Sequence, residues 1–261
     1  MENNDNIFGS TAWQMIGDDD GPEIESDEIE TKNTPSEELR SPNQTIFRIN
    51  IDKSGSMQKF SDAMQKALEL VKSTITTSTE KDKIQIAKTL FSDSVIPDGF
   101  TNIEDFNTQY ESCEGRTKLY DSIIDSQRRI MEYMQDLKKN GVSARRAILC
   151  ILSDGIDNAS ESTLEDAKES IDILKGEEIT ICFIAFGNDD AKEIASKLGI
   201  NNVIRTDATV HELHKIMRFI SEGTIRVSQG SDNWIFKCCK PKIEENEKFH
   251  SPFLIHIVKK W

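Results

Sequence analysis

Residues 46–56 read Ile-Phe-Arg-Ile-Asn-Ile-Asp-Lys-Ser-Gly-Ser, an apolar run followed by a short polar loop. The run over 46–51 is rich in apolar and β-branched residues, which predicts a β-strand. The strand runs into Asp52. Beyond the glycine, apolar residues recur at three- and four-residue spacing from Phe60 to Val71, which indicates a helix with one buried stripe.

The rest of the chain repeats this alternation of short strands and longer helical segments. Residues 84–91 and 95–96 are separated by three residues, too few for a crossover, so they are predicted as an antiparallel hairpin with Pro97 at the sheet edge. Residues 147–152 and 179–186 are continuous apolar runs, typical of central strands buried on both faces. We therefore predict an α/β fold: a Rossmann-like, doubly wound, mainly parallel sheet with one antiparallel edge strand and helices on both faces.

Three further segments have helical periodicity. One follows Thr117 and ends near Asn140 and Gly141, which form a suitable C-terminal stop. The other two are predicted to begin with capping boxes, in which a hydroxyl side chain and an acid three residues later satisfy free backbone amides. These boxes pair Ser162 with Glu165 and Thr209 with Glu212.

The charge of the chain is concentrated at its beginning. Of the net charge of −14, residues 1–40 contribute −10, from twelve acidic and two basic side chains. Few residues of this segment are apolar, so burial cannot offset its ordering entropy. We predict an acidic disordered tail over 1–44, a folded domain over 45–229, and an extension of unassigned structure over 230–261.

Composition argues against several functions. A pI near 4.8 argues against nucleic-acid binding, because phosphates require clustered Lys and Arg. No stretch approaches the roughly 20 apolar residues that a membrane span requires, and the N-terminus is acidic where a secretory signal is basic. The five cysteines have no Cys-x-x-Cys spacing, which suits a reducing compartment. We therefore expect a cytoplasmic protein.

Three segments with oxygen-bearing side chains, 52–56, 115–117 and 153–155, lie at one predicted rim of the sheet. In an open parallel sheet, ligands collect outside the carboxyl ends of the strands. Within the first segment, alternate residues of an extended turn point the same way, so one carboxylate and two hydroxyls converge. The other segments add a hydroxyl and a second carboxylate, so the sequence predicts a cation site at this rim.

The candidate donors include no thiolate and no imidazole. Such a set selects Mg²⁺, or else Mn²⁺ or Ca²⁺, over zinc or copper. Two carboxylates neutralise a divalent ion and neutral hydroxyls leave it electrophilic, so a carboxylate from a protein partner can complete its shell. The predicted metal ligands are Asp52, Ser54, Ser56, Thr117 and Asp154.

These five residues resemble the signature positions of the von Willebrand factor A (vWA) family, and together they match a complete metal-ion-dependent adhesion site (MIDAS). The element order over 45–229 is similar to a whole vWA domain, and the chain looks closest to stand-alone intracellular members of the tellurium-resistance type. In that family the five residues surround Mg²⁺ or a similar ion, some directly and some through water. The resemblance implies a non-enzymatic module that binds an Asp or Glu of a protein partner through the metal.

Three residues near the motif need separate interpretation. Arg116 stands where many relatives have a second glycine, and it either helps to hold an acidic ligand or is merely solvated. Asp157 and Asn158 resemble a common variant of the family and are interpreted as loop-shaping residues, not ligands.

Two alternative functions remain open. A metal-dependent phosphohydrolase is one, although no phosphate-cradling loop, nucleophile elbow or nearby general base accompanies the motif. A scaffold that acts through the acidic tail is the other. Weaker metal candidates are a histidine pair on the last helix and a Cys/His group without zinc-site spacing: His211 with His214, and Cys238-Cys239 with His250 and His256.

Overall fold

Seven strands form one sheet within the residues that the structure describes, which are 31–110, 113–187, 190–206 and 209–230. The structure is a computed structural model. The strands are β1 (Asn43–Asp52), β2 (Ile84–Phe91), β3 (Val95–Pro97), β4 (Thr101–Asn102), β5 (Ser143–Ser153), β6 (Thr180–Phe186) and β7 (Val203–Thr206). Their order is β3-β2-β1-β5-β6-β7, with β4 also paired to β2.

The sheet is parallel except at one edge. β1 pairs in parallel with both β2 and β5, and β6 and β7 extend the parallel part. β3 and β4 are short and antiparallel to β2, and Pro97 lies in β3 at the sheet edge, where a missing backbone donor costs nothing. The predicted mainly parallel α/β sheet is confirmed, and its antiparallel edge consists of two short strands.

In the part of the chain that the structure describes, five α-helices connect the strands and cover both faces. They are α1 (Ser61–Thr76), α2 (Leu119–Lys139), α3 (Leu164–Gly176), α4 (Asp190–Lys197) and α5 (Val210–Ser228). One hydrophobic core lies between the sheet and α1 with α5, and a second lies between the sheet and α2 with α3 and α4. This distribution confirms the doubly wound prediction. None of the described helices is long and apolar enough to cross a bilayer.

β1 lies at the centre of the sheet, which explains why its residues are buried on both faces. Phe47, Ile49 and Ile51 pack into the core under α1 and α5, and Ile46 packs into the core under α2. The alternation follows from the two-residue period of a strand. Asp52 is the last residue of the strand, so it lies at the rim where the chain leaves the sheet.

Residues 31–42 lie along the folded domain. Thr34 donates its amide to the carbonyl of Phe100 at 2.7 Å, and the amide of Phe100 donates to Asn33 Oδ1 at 2.9 Å. The predicted tail boundary at residue 44 falls inside β1, which begins at Asn43. The remainder of that tail, 1–30, lies outside the described residues, as do 231–261 with Cys238, Cys239, His250 and His256.

The cap of α3 lies one residue later than predicted. Thr163 Oγ1 accepts from the amide of Asp166 at 3.2 Å, and Asp166 Oδ2 accepts from the amide of Thr163 at 2.8 Å. The amide of Ser162 instead donates to Asp121 at 3.0 Å, because this segment binds the start of α2. The overlapping patterns Ser-x-x-Glu and Thr-x-x-Asp are equivalent in sequence, and this tertiary contact selects the second.

At α5, half of the predicted capping box is present: Thr209 Oγ1 accepts from the amide of Glu212 at 3.2 Å. The Glu212 carboxylate instead accepts from Thr206 Oγ1 at 3.3 Å, so it ties the helix to the end of β7. The sequence interpretation did not include α4 or β7. β7 is only four residues long and contains Arg205, so it lacks the apolar run that marks the central strands.

Candidate metal centre

Asp52 ends β1 and is fully buried. Its Oδ1 accepts from the backbone amide of Ser54 at 2.8 Å, and its Oδ2 accepts from Ser153 Oγ at 2.7 Å. Ser153 is the last residue of β5, which lies beside β1 in the sheet. The chain's own hydrogen bonds therefore fix the carboxylate between the ends of two neighbouring strands.

The two serines of the first loop lie side by side. Ser54 Oγ and Ser56 Oγ are 3.1 Å apart, within hydrogen-bond distance. Ser54 is buried and Ser56 is exposed. Gly55 opens a 3₁₀ turn, Gly55–Phe60, which curls the chain into α1. Two hydroxyls of the predicted donor set therefore lie together in this loop, and Ser54 also contacts the Asp52 carboxylate through its amide.

The second segment packs directly on the first. The amide of Gly55 donates to the carbonyl of Gly115 at 3.1 Å, and the amide of Glu114 donates to the carbonyl of Lys53 at 3.0 Å. Thr117 follows, buried, two residues ahead of α2. These backbone contacts bring Thr117 to the same rim as the first loop.

Asp154 follows the end of β5 in the third segment. Its Oδ1 is buried and accepts no hydrogen bond from any described residue. The amide of Gly155 donates to Ser153 Oγ at 3.0 Å, so the hydroxyl that holds Asp52 also holds this loop. A buried carboxylate oxygen without a donor is costly unless an external group satisfies it.

Burial raises the pKa of Asp52 to about 6. The hydrogen bonds from Ser54 and Ser153 act in the opposite direction and lower the pKa, whereas the negative charge of Asp154 raises it further. The charged neighbour that acts on Asp52 is thus a second carboxylate. A divalent cation would offset both the energetic cost of burying negative charge and the repulsion between the two carboxylates.

Polar contacts from the third segment fix the start of α2. Asn158 Oδ1 accepts from the amide of Thr117 at 2.8 Å, and Asp157 Oδ2 accepts from the amide of Tyr120 at 3.0 Å. Ser160 Oγ accepts from the amide of Asp121 at 3.2 Å. Asp157 and Asn158 therefore satisfy amides at a helix start, which agrees with their interpretation as loop-shaping residues.

Arg116 lies on the exposed side of the second segment. Its backbone amide donates to Asp93 Oδ1 at 3.0 Å, and its Nε lies 3.4 Å from the same oxygen. Asp93 belongs to the turn between β2 and β3. This turn therefore supports the loop that carries Thr117.

Two supporting residues were missed by the sequence interpretation of the site. Ser153 binds Asp52, and its signal was its place directly before Asp154 at a strand end. Tyr110 donates its hydroxyl to the carbonyl of Asp52 at 2.6 Å and accepts from Cys113 Sγ at 3.2 Å. Burial raises the pKa of both Tyr110 and Cys113, so both stay protonated at neutral pH. Nothing in the sequence pattern pointed to Tyr110.

The donor set fits a hard cation and not a soft one. Within the described part of the chain, no group of three or more His, Cys, Asp or Glu side chains could hold a metal. His211 is exposed and His214 is half-buried, and they form no such group. The rim instead offers two carboxylates, one with a buried unsatisfied oxygen, together with hydroxyls. Oxygen-only sets of this kind suit Mg²⁺, Mn²⁺ or Ca²⁺.

Comparison with known proteins gives matches in structure alone. No family model matches the sequence, and no curated protein matches it. A pilus adhesin, SpaC of Lactobacillus rhamnosus GG, matches 76% of this chain and 31% of its own at 11% identity and a TM-score of 0.58. A von Willebrand factor type A protein from Catenulispora acidiphila matches 70% of this chain and 43% of its own at 18% identity and a TM-score of 0.52.

A third match is proximal thread matrix protein 1 from the mussel byssus, in a structure with a zinc-occupied MIDAS motif. It covers 71% of this chain and 46% of its own at 16% identity and a TM-score of 0.50. The chain spans less than half the length of each of these three structures. At these identities the likeness concerns the fold, and it shows that this chain has a vWA-like fold.

Proposed function

We propose that this chain is a divalent-metal-dependent protein-interaction module that binds an acidic side chain of a protein partner. Asp52, Ser54, Ser56, Thr117 and Asp154 would hold the ion, with Mg²⁺ as the first choice and Mn²⁺ or Ca²⁺ as alternatives. The observation that carries the proposal is the pair of neighbouring carboxylates, of which Asp154 keeps a buried oxygen without a hydrogen-bond donor in the described chain.

The arrangement of charges favours binding over catalysis. A bound divalent ion supplies an electrophilic centre, and the two carboxylates neutralise it without adding surplus negative charge. The loops bring hydroxyls and backbone groups to the rim. Among the described residues, the hydrogen-bond partners of Asp52 and Thr117 include no histidine or glutamate that could act as a general base. The three structural neighbours are an adhesin, a vWA protein and a matrix protein, which supports the same proposal.

The proposal includes an intracellular setting, in line with the resemblance to stand-alone vWA proteins. Cys113, Cys150 and Cys182 are free and buried in the described chain, although Cys150 and Cys182 are direct partners across β5 and β6. Unpaired thiols are typical of reducing compartments. Subcellular fractionation tests this part, and recovery of the chain outside the cytoplasm would contradict it.

Calorimetric titration of the full chain with MgCl₂, MnCl₂ and CaCl₂ tests the metal site. We expect one site in the wild type and at least a roughly tenfold loss of affinity in Asp154→Asn, because the neutral amide removes half of the site's negative charge. Asp172→Asn is the matched control, since Asp172 lies on α3 and pairs with Lys168 and Lys175. Absence of binding for all three ions in the wild type would contradict the proposal.

The partner half of the proposal needs a separate experiment. Affinity capture with Mg²⁺ should recover a partner that is lost with chelator and lost with Asp154→Asn. If the same partner survives both treatments and disappears on deletion of residues 1–30, the acidic tail is the binding element. Magnesium-dependent phosphatase activity that Asp52→Ala abolishes would instead favour the hydrolase alternative.

A further inference from the structure

Ile156 is an exposed apolar residue in the loop that carries Asp154. Among the described residues, the large hydrophobic side chains that are exposed are Ile156 at 47%, Ile173 at 43% and Val210 at 38%. Single exposed apolar residues are common on protein surfaces, so exposure alone assigns no role. The position of Ile156 is informative, because it follows Asp154 by two residues at the rim of the candidate metal centre.

The backbone on both sides of Ile156 is fixed. Gly155 has φ +87°, and a Cβ at this position would lie 2.2 Å from the Cα of Ala191, so the loop is pressed against the first turn of α4. On the other side, Asp157 binds the amide of Tyr120. Neighbours that are held by the domain leave Ile156 exposed at a fixed place, so its backbone loses little further freedom when a partner binds.

Arg116 supplies a cation on the second loop of the same site. Its side chain is 70% exposed and directly precedes Thr117. Asp93, itself 57% exposed, lies 3.4 Å from its Nε. A guanidinium has five N–H donors, so this single contact leaves capacity for a second carboxylate. The hydrogen bonds between Thr117 and Asn158 join the loop of Arg116 to the loop of Ile156.

We infer that Ile156 and Arg116 select the partner: a protein segment whose metal-binding Asp or Glu has an apolar neighbour and a second acidic neighbour. This inference rests on the proposed function. The apolar neighbour packs on Ile156, and the second acid pairs with Arg116. Covering much of an isoleucine side chain corresponds to an affinity gain of roughly 3- to 10-fold. A solvent-exposed ion pair adds a factor of about 2 to 5.

Blocked synthetic peptides provide the probe. Three peptides carry Leu-Glu-Asp, Ser-Glu-Asp or Leu-Glu-Ser between glycines, and each is titrated by NMR into the full chain with saturating Mg²⁺. In the wild type we expect Leu-Glu-Asp to bind about 3- to 10-fold more tightly than Ser-Glu-Asp. We expect it to bind about 2- to 5-fold more tightly than Leu-Glu-Ser.

Matched variants assign these preferences to residues. Ile156→Ser should abolish the preference for leucine and keep the preference for the second acid, whereas Arg116→Gln should do the reverse. Ile173→Ser is the control, because Ile173 has similar exposure on α3, and it should keep both preferences. Calorimetry with Mg²⁺ on each variant reports separately on the metal site.

The outcomes separate the inference from the proposed function. Equal, Mg²⁺-dependent binding of the three peptides in the wild type overturns the inference and leaves the metal-dependent function standing. Loss of the leucine preference in Ile173→Ser as well as Ile156→Ser also overturns the inference. Peptide binding that is unchanged by chelator, or absent with Mg²⁺ bound, contradicts the proposed function itself. Self-association that Ile156→Ser removes would assign this surface to a second copy and overturn the inference.

Discussion

Strand β1 buries two charged side chains, Arg48 and Asp52. The charged group next to Arg48 has the opposite sign, whereas the one next to Asp52 has the same sign. Arg48 donates Nε to Ser126 Oγ at 3.1 Å and Nη2 to Thr89 Oγ1 at 2.6 Å. The carboxylate of Asp125 lies 3.8 Å from its Nη2 and supplies the opposite charge. Burial lowers the pKa of Arg48 to about 10, so it remains charged at neutral pH. The chain itself satisfies this buried ion.

Asp52 has hydrogen-bond donors but no opposite charge among the groups that shift its pKa. Its charged neighbour is Asp154, a second carboxylate, and this repulsion adds to the penalty of burial. A buried charge with an internal counter-ion is typical of structural networks, whereas neighbouring buried charges of the same sign are typical of sites that take an external ion. The contrast predicts that substitutions at the two positions affect stability in opposite directions.

The largest effect is expected for Arg48→Met. It removes the buried donor of Ser126 and Thr89 and one of the three arginines that pair with Asp125, so the free energy of unfolding should fall by about 3–5 kcal/mol. Denaturant unfolding measures this loss. Arg128→Met is the control, because its ion pairs on α2 are more exposed and should contribute about 1 kcal/mol or less. Equal stability of the Arg48 variant and the wild type would show that the network is not structural.

Gly155→Ala should rank second and should affect both stability and the metal site. A methyl group here would overlap the backbone of Ala191 at 2.2 Å and would occupy a φ of +87°. We expect a loss of about 3 kcal/mol, and Mg²⁺ affinity should fall because the loop of Asp154 must shift.

Gly141→Ala is its matched control at the opposite rim. Gly141 has a similar φ of +76°, and a Cβ there meets nothing within 4 Å. The expected loss is about 1 kcal/mol, with Mg²⁺ affinity unchanged. Equal losses of stability at the two glycines would show that close packing does not hold the loop of Asp154.

Asp52→Asn should stabilise the metal-free protein at neutral pH while it abolishes metal binding. The folded chain holds the proton of Asp52 up to about pH 6, whereas the unfolded chain releases it at its ordinary pKa of 3.8. The folded state therefore binds more protons between these values, and the free energy of unfolding falls as the pH rises from about 4 to about 6.

The neutral amide removes this loss of stability, so at pH 7 without divalent ions the variant should be more stable by about 1–3 kcal/mol. Thermal unfolding in chelator at pH 4 and pH 7 measures the difference. It should shrink at pH 4, where Asp52 is protonated in the folded wild type. A variant that is less stable than the wild type at pH 7 in chelator would contradict the contrast with Arg48.

Tyr110→Phe should have the smallest effect. It removes the donor to the carbonyl of Asp52 and the acceptor for Cys113, which corresponds to about 1 kcal/mol of stability. Because the first loop loosens, Mg²⁺ affinity should fall by less than about tenfold. Tyr120→Phe is the control, since the hydrogen bond of Tyr120 near the site is made by its backbone amide. An unchanged affinity in Tyr110→Phe would exclude it as a positioning residue.

Much of the fold, and the rim that carries the candidate site, could be predicted from the sequence because both depend on local periodicity. The apolar runs of β5 and β6 and the stripe of α1 fixed the order of elements, and the parallel order placed the ends of β1 and β5 at one rim. The proximity of Asp52 and Asp154 follows from that order, since β1 and β5 are neighbours in the sheet.

The parts that could not be predicted depend on tertiary contacts. Residues 31–42 have no apolar pattern, and they are held by isolated hydrogen bonds such as the one from Thr34 to Phe100. Tyr110 reaches Asp52 from a stretch without regular secondary structure. The choice of Thr163 over Ser162 as a helix cap depends on a distant partner, Asp121. Contacts of this kind leave no periodic trace in the sequence.

A crystal of the full chain, soaked in MnCl₂ and measured at the manganese edge, would locate the ion directly. We expect one strong anomalous peak between the carboxylates of Asp52 and Asp154, with Ser54, Ser56 and Thr117 around it directly or through water. A protein donor seated on the free oxygen of Asp154, with the manganese absent or bound elsewhere, would contradict this expectation.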